Sequence, residues 1–107
     1  MTNSRDKGAR GEREWARVCR DNGYDCRRGQ QYSGVEGEDV IGLPGIHIEV
    51  KRVQALNIEN AIAQSRRDAK EGEIPIVAFR RNNEKWKVCM DAESFFNLYR
   101  EWEAGRN

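Results

Sequence analysis

The chain lacks any stretch approaching the roughly 18 consecutive apolar residues of a membrane span. Its polar start, Met1-Thr2-Asn3-Ser4-Arg5-Asp6-Lys7, also lacks the apolar core of a secretion signal. Both absences point to an intracellular, cytoplasmic protein with no membrane partner. The three cysteines, Cys19, Cys26 and Cys89, show no C-x-x-C spacing, so neither a disulfide framework nor a zinc site is supported and they read as structural or incidental thiols. No repeat, linker or low-complexity tract divides the 107 residues, so one domain over 1–107 is expected, loose at about 1–4 and 104–107. Apolar residues are scarce, 37% against 35% charged, which suits a thin core under a large polar surface, completed by a partner subunit. Charge of one sign is missing locally. Residues 32–50 hold four acids and no Lys or Arg, whereas residues 1–31 hold eight Lys/Arg against five acids, and residues 80–87 hold four against one. Basic flanks around an acidic centre suit a metal site inside a phosphate-binding surface; ordinary solvated faces would give the same counts.

Periodicity supplies the elements. From Ser4 to Asp21, Ala9, Ala16 and Cys19 share a stripe with Trp15, and Arg10, Arg13, Arg17 and Arg20 form a basic row, the pattern of an amphipathic helix. Gly23 stops it. Glu12 falls on or beside the apolar stripe, where a carboxylate is costly unless compensated; Arg10 or Lys7 could pair with it, or it could serve a metal or water. Tyr24 to Arg28 reads as a first strand, and residues 29–37 as a glycine-rich loop. Asn57 can cap a second helix running to about Lys70, with Ile58, Ala61, Ile62, Ser65 and Ala69 inward and Gln64, Arg66, Arg67 and Lys70 outward. The apolar run Ile74–Phe79 is a central strand, with Pro75 tolerated near its start. Trp86 to Met90 is a fifth strand, and Asp91 caps a last helix carrying Phe95, Phe96, Leu98, Tyr99 and Trp102, residues of a core or an interface. The expected fold is α/β: a central mixed five-stranded sheet flanked by helices in the order αβββαββα.

Two segments carry the chemistry. Glu38-Asp39-Val40-Ile41-Gly42 is followed, after Leu43-Pro44-Gly45, by Ile46-His47-Ile48-Glu49-Val50-Lys51. Alternation in the second segment sets Ile46, Ile48 and Val50 against His47, Glu49 and Lys51. Glu49 and Lys51 then stand about 7 Å apart on one face, close enough for one to hold a divalent ion while the other reaches a water or phosphate. His47 shares that face but, beside a turn, reads as a surface residue. Whether Asp39 joins them depends on register, because a slip of one residue moves a side chain to the other face. A three-residue loop or a bulge near Pro44-Gly45 brings Asp39 opposite Glu49; a plain two-residue turn separates them. A ladder of structural salt bridges is the competing reading of the same three residues.

An Asp-x(9)-Glu-x-Lys pattern on two adjacent strands, after a helix with an inward carboxylate and before a crossover helix, resembles the PD-(D/E)XK nuclease superfamily. Within it, Lys7-Gly8-Ala9-Arg10-Gly11-Glu12-Arg13-Glu14, then Gly23-Tyr24, Arg28, Asp39 and Glu49-Val50-Lys51, resemble the archaeal-type Holliday junction resolvases. The resemblance implies a restriction-endonuclease-like fold and a Mg²⁺-dependent endonuclease, Mn²⁺ substituting, that cuts branched DNA in recombination and repair and leaves 5′-phosphate and 3′-hydroxyl ends. It implies Glu12, Asp39, Glu49 and Lys51 as catalytic residues, and Asp39, Glu49, the Val50 carbonyl and Glu12 as metal ligands. Lys7, Arg13, Arg28 and Ser33 would contact DNA, and a homodimer would place two active sites on a four-way junction. The chain departs from the pattern in a longer loop between Arg28 and Asp39 and in Glu38 before the catalytic acid, which bear on substrate choice. A related nuclease cutting flaps, single strands or duplex is the first alternative, and a non-cleaving DNA-binding module the second. The small size would suit a phage-encoded enzyme.

Overall fold

The computed structural model describes residues 4–29 and 39–106, and side chains from Gly8 onward. Its elements are α1 (Ser4–Asp21), β1 (Arg27–Arg28), β2 (Val40–Ile41), β3 (Ile46–Arg52), α2 (Ile58–Asp68), β4 (Ile74–Arg80), β5 (Lys87–Cys89) and α3 (Ala92–Ala104). The order αβββαββα is the expected one. No helix among the described residues is long and apolar enough to cross a membrane.

Helix α1 buries Ala9, Glu12, Trp15, Ala16 and Cys19 along one stripe and leaves Arg10, Arg13, Arg17 and Arg20 exposed. It ends where Gly23 takes φ 95°. The Gly23 amide donates to the Arg20 carbonyl at 2.9 Å and the Tyr24 amide to the Cys19 carbonyl at 3.1 Å, the paired bonds of a Schellman stop. Helix α2 starts as expected, with the Asn57 side chain accepting from the Asn60 amide at 3.0 Å. Asp91 precedes α3 but caps it with no side-chain bond, because its carboxylate is taken by Arg66 of α2, at 2.7 Å from Nη2 and 3.0 Å from Nε.

The sheet departs from expectation. Instead of five strands in one sheet there are two sheets, β1-β2 and β3-β4-β5. Strand β4 is central, parallel to β3 in the register Ile48↔Ile76 and Glu49↔Val77, and antiparallel to β5. Helix α1 covers one face through Ile48, Val50, Ile76 and Ala78, and α2 covers the other through Val77, Phe79 and Ala61. Strand β1 is shorter than Tyr24–Arg28 because the chain turns first: the Cys26 amide closes on the Tyr24 carbonyl at 2.8 Å, and Arg20 takes the Cys26 carbonyl at 2.9 Å.

Strand β2 pairs with β1 rather than joining β3 in a ladder, and the linking turn shows why. The Ile46 amide donates to the Leu43 carbonyl at 3.0 Å around Pro44 and Gly45 (φ 87°), the arrangement of a type II turn. This is the two-residue connection that would separate Asp39 from Glu49 in a regular hairpin. Gly42 prevents that outcome by leaving the strand conformation altogether, at φ 128°. A Cβ on Gly42 would stand 2.6 Å from the Asp25 carbonyl oxygen and 2.7 Å from Cys26 Cα, both backbone atoms. Gly42→Ala therefore meets backbone strain and a clash together, and is expected to cost about 2–4 kcal/mol. A urea midpoint equal to that of the parent would refute this reading of the bend.

Candidate active site

The site forms where β2 meets the edge of β3. Asp39 lies astride Glu49: its main-chain amide donates to the Ile48 carbonyl at 3.3 Å, and its Oδ2 accepts the Val50 amide at 2.8 Å. A side chain thus replaces the carbonyl that a regular ladder would supply. Because the amide and carbonyl of one strand residue face the same edge, the Val50 carbonyl also opens toward Asp39. The irregular backbone at Gly42 achieves what an odd loop length was expected to do, and the carboxyls of Asp39 and Glu49 come close enough to influence each other's ionisation.

Glu49 is 2% exposed, and both its oxygens are engaged. Oε1 lies 3.0 Å from His47 Nε2, and Oε2 accepts from Gln64 Nε2 at 3.4 Å. Gln64 turns its own oxygen to Lys51, whose Nζ donates at 3.1 Å, so one amide of α2 spans the acid and the ammonium. His47 is a correction to the surface reading: it is 2% exposed, and its Nδ1 lies 3.8 Å from Glu73 Oε1. It is buried because β3 pairs along its length with β4, placing His47 beside Pro75.

The electrostatics favour protonated carboxyls. Burial raises Asp39 to about 7, aided by the Glu49 charge and opposed by the Val50 amide and Lys51. Burial likewise raises Glu49 to about 7; Asp68 of α2 adds repulsion, while Asp39 and Lys51 act the other way. Glu12 is 9% exposed and is also raised, first by burial and then by the Asp39 charge, against the Arg28 guanidinium, whose Nε donates to Glu12 Oε2 at 2.5 Å. Arg28 is thus a partner that compensates the inward acid.

Helix α1 can approach the site closely because residue 11 is glycine: a Cβ there would stand 2.6 Å from Arg52 Cβ. Arg13 is exposed, and its charge favours ionised Glu12. Ser33 and Glu38 lie outside the described residues, and Lys7 lies in α1 with its side chain outside them. Gln64 and Asp68 were not singled out from sequence, although they follow buried Ala61 at three and seven residues, the spacing of one helical face.

Among the described residues, no three His, Cys, Asp or Glu side chains form a set able to hold a metal ion unaided. The donors present suit a hard cation that takes few protein ligands. Two neighbouring carboxyls, whose protons a cation would displace, and a strand carbonyl on the same edge match the way Mg²⁺ binds through one or two carboxylates while keeping its waters.

No protein-family model and no curated protein matches the chain. Among solved structures, the chain is similar to the 1.6 Å structure of Hjc from Archaeoglobus fulgidus, a Holliday junction resolvase from an archaeal hyperthermophile. The two are 22% identical with a TM-score of 0.51, over 75% of this chain and 74% of that chain. The likeness shows the fold alone: the chain is an α/β domain built like Hjc, its sheet divided into two strands and three.

Proposed function

We propose that the chain is a metal-dependent endodeoxyribonuclease acting on branched DNA, a Holliday junction resolvase. The observation that carries this reading is the half-buried Asp39 beside the buried Glu49, with Lys51 held next to them by Gln64, in a fold like that of a resolvase. A salt-bridge ladder accounts for it less well, because the Lys51 ammonium donates to the Gln64 side-chain oxygen at 3.1 Å.

Asp39, Glu49 and the Val50 carbonyl would hold Mg²⁺, or Mn²⁺ in its place, and Glu12 would reach it through water. The chemistry such an ion supplies is polarisation of a phosphoryl oxygen and acidification of a nearby water. The chain's own residues do the rest. Lys51 orients the attacking water and offsets the charge that develops on the phosphorus oxygens. Gln64 keeps the ammonium beside the acid, and His47 holds Oε1 of Glu49. Arg28 and Arg13 offer guanidinium groups to the phosphates on either side, with Lys7 and Ser33 as further DNA contacts.

A second copy would complete the molecule. Helix α3 buries Ser94 yet exposes Phe95, Phe96, Leu98, Tyr99 and Trp102, with Phe95 stacked on Tyr99 and Tyr99 packed on Trp102. With Tyr24 and Val88, which line one pocket together with Leu98, these side chains form the kind of exposed apolar patch that marks an interaction surface. Homodimerisation across it would give two sites for the two scissile strands of a junction.

The test is a cleavage panel with Mg²⁺ at equal concentrations of four-way junction, flap, fork, linear duplex and single strand. Paired symmetric nicks confined to the junction are expected. Cleavage of flap or single strand in preference would make the chain a different nuclease of the same fold, and binding without cleavage would make it a DNA-binding module.

A further inference from the structure

On the face of the sheet opposite Lys51, at the same end of β3, lies a pocket of about 280 Å³ lined by Arg10, Glu14, Arg52, Val53, Gln54 and Asn82. Its hydrogen bonding has a consistent direction. Glu14 is the acid among the lining residues and is already occupied: Oε1 accepts from Arg80 Nη1 and, at 3.1 Å, from Trp86 Nε1, while Oε2 lies 3.4 Å from Arg52 Nε. The side-chain oxygen of Gln54 accepts the Asn82 amide at 2.9 Å. The side-chain oxygen of Asn82 accepts Arg52 Nη1 at 2.9 Å. A backbone N–H and a guanidinium can only donate, so these two bonds fix which end of each side-chain amide is oxygen. The capacity left is donor capacity: the NH₂ groups of Gln54 and Asn82 and the guanidinium groups of Arg10 and Arg52. A pocket whose acceptors are consumed internally and whose donors are cationic or amide N–H is built for an anion with several oxygens.

We propose that this pocket is a second phosphate site, which takes the non-bridging oxygens of a DNA phosphodiester beside the one being cut. The proposal rests on the nuclease reading. Its place in the fold supports it, because Arg52 directly follows Lys51 on β3, and Arg10 and Glu14 flank Glu12 on α1. Gly11 brings the two elements together at Arg52 Cβ. A strand presenting one phosphate to Lys51 passes this end of the sheet and meets Arg52 on the other side. Glu14 acts as a positioning residue: it gathers Arg52 and Arg80 and leaves the pocket a net donor surface.

The test compares the parent with Arg10→Gln and Arg10→Gln/Asn82→Ala, both at exposed positions and each checked for an unchanged melting temperature. Duplex and junction binding are followed by fluorescence anisotropy over a salt series. Loss of one phosphate contact should weaken binding about tenfold at low salt and reduce the slope of log K against log[salt] by about one. The single-turnover cleavage rate at saturating DNA should be retained. An unchanged slope in the double variant overturns the second site and leaves the nuclease reading standing. If the parent binds no DNA, both fall. In that case, titration with inorganic phosphate that moves the Gln54 and Asn82 side-chain amide resonances of the parent, but not the Gln54 resonance of the double variant, would reassign the pocket to a small phosphate ligand.

Discussion

Glu49→Gln is expected to abolish Mg²⁺-dependent cleavage, with a loss of about 10³-fold or more in single-turnover rate, while DNA binding stays close to that of the parent. The substitution keeps the volume of a side chain that is 2% exposed, so the core is not opened. Its oxygen can still accept one bond from His47 or Gln64. What it loses is the charge that a cation needs and the capacity to accept on both sides. Stability separates the two readings of this residue. If Glu49 were a structural partner of Lys51, neutralising it would destabilise the fold. If it is a metal ligand held near Asp39 and Asp68 at the expense of stability, neutralising it relieves repulsion, and the metal-free variant should melt higher than the parent at pH 8. Full cleavage by Glu49→Gln, or a lower melting temperature together with residual activity, would dismantle the assigned site.

The second large effect is on pH dependence without metal. Asp39 and Glu49 titrate at about 7 in the folded protein, against ordinary values of 3.8 and 4.5, with burial as the main cause. Between those limits the folded state binds more protons than the unfolded one. The favourable contribution is therefore complete below about pH 4 and is lost as pH rises through 7. The protein in EDTA should be more stable at pH 5 than at pH 8, by an amount on the order of a few kcal/mol. Mg²⁺ at pH 8 should recover much of the difference, because an ion that binds only the folded state stabilises it by mass action. Thermal unfolding from pH 5 to 8, with EDTA and then with Mg²⁺, measures both effects. A flat profile identical to that of Glu49→Gln would show that the pair is not protonated in the folded protein.

Much of this was legible in the sequence where a period ran long enough to be read. Eighteen residues of α1 placed Glu12 on the buried stripe, and the alternation His47-Ile48-Glu49-Val50-Lys51 set Glu49 beside Lys51. The five-stranded sheet was not recoverable in the same way, because β1 and β2 are two residues each and two residues show no period. Pro44-Gly45 announced the turn, but the decisive bend is at Gly42, where the positive φ and the close approach of Asp25 and Cys26, from a distant part of the chain, both call for glycine. His47 and Gln64 escaped for a related reason: alternation and helical faces say which side a residue is on, not what lies against that side. The outward aromatics of α3 show the same limit, since an apolar stripe reads alike whether it covers a sheet or awaits a second molecule.

The bond from the Val50 amide to Asp39 Oδ2 also makes one backbone proton a reporter of the site. Its partner is a group that changes charge near neutrality and would be drawn toward any cation that arrives. The Val50 resonance in a ¹⁵N spectrum should follow the ionisation of Asp39 and the loading of the site, with no label attached and no substrate present. The same bond complicates one familiar experiment. Asp39→Ala removes a carboxylate and, with it, one of the two bonds by which Asp39 joins the sheets, so a dead Asp39 variant could be inactive for either reason, whereas a dead Glu49→Gln leaves both bonds in place.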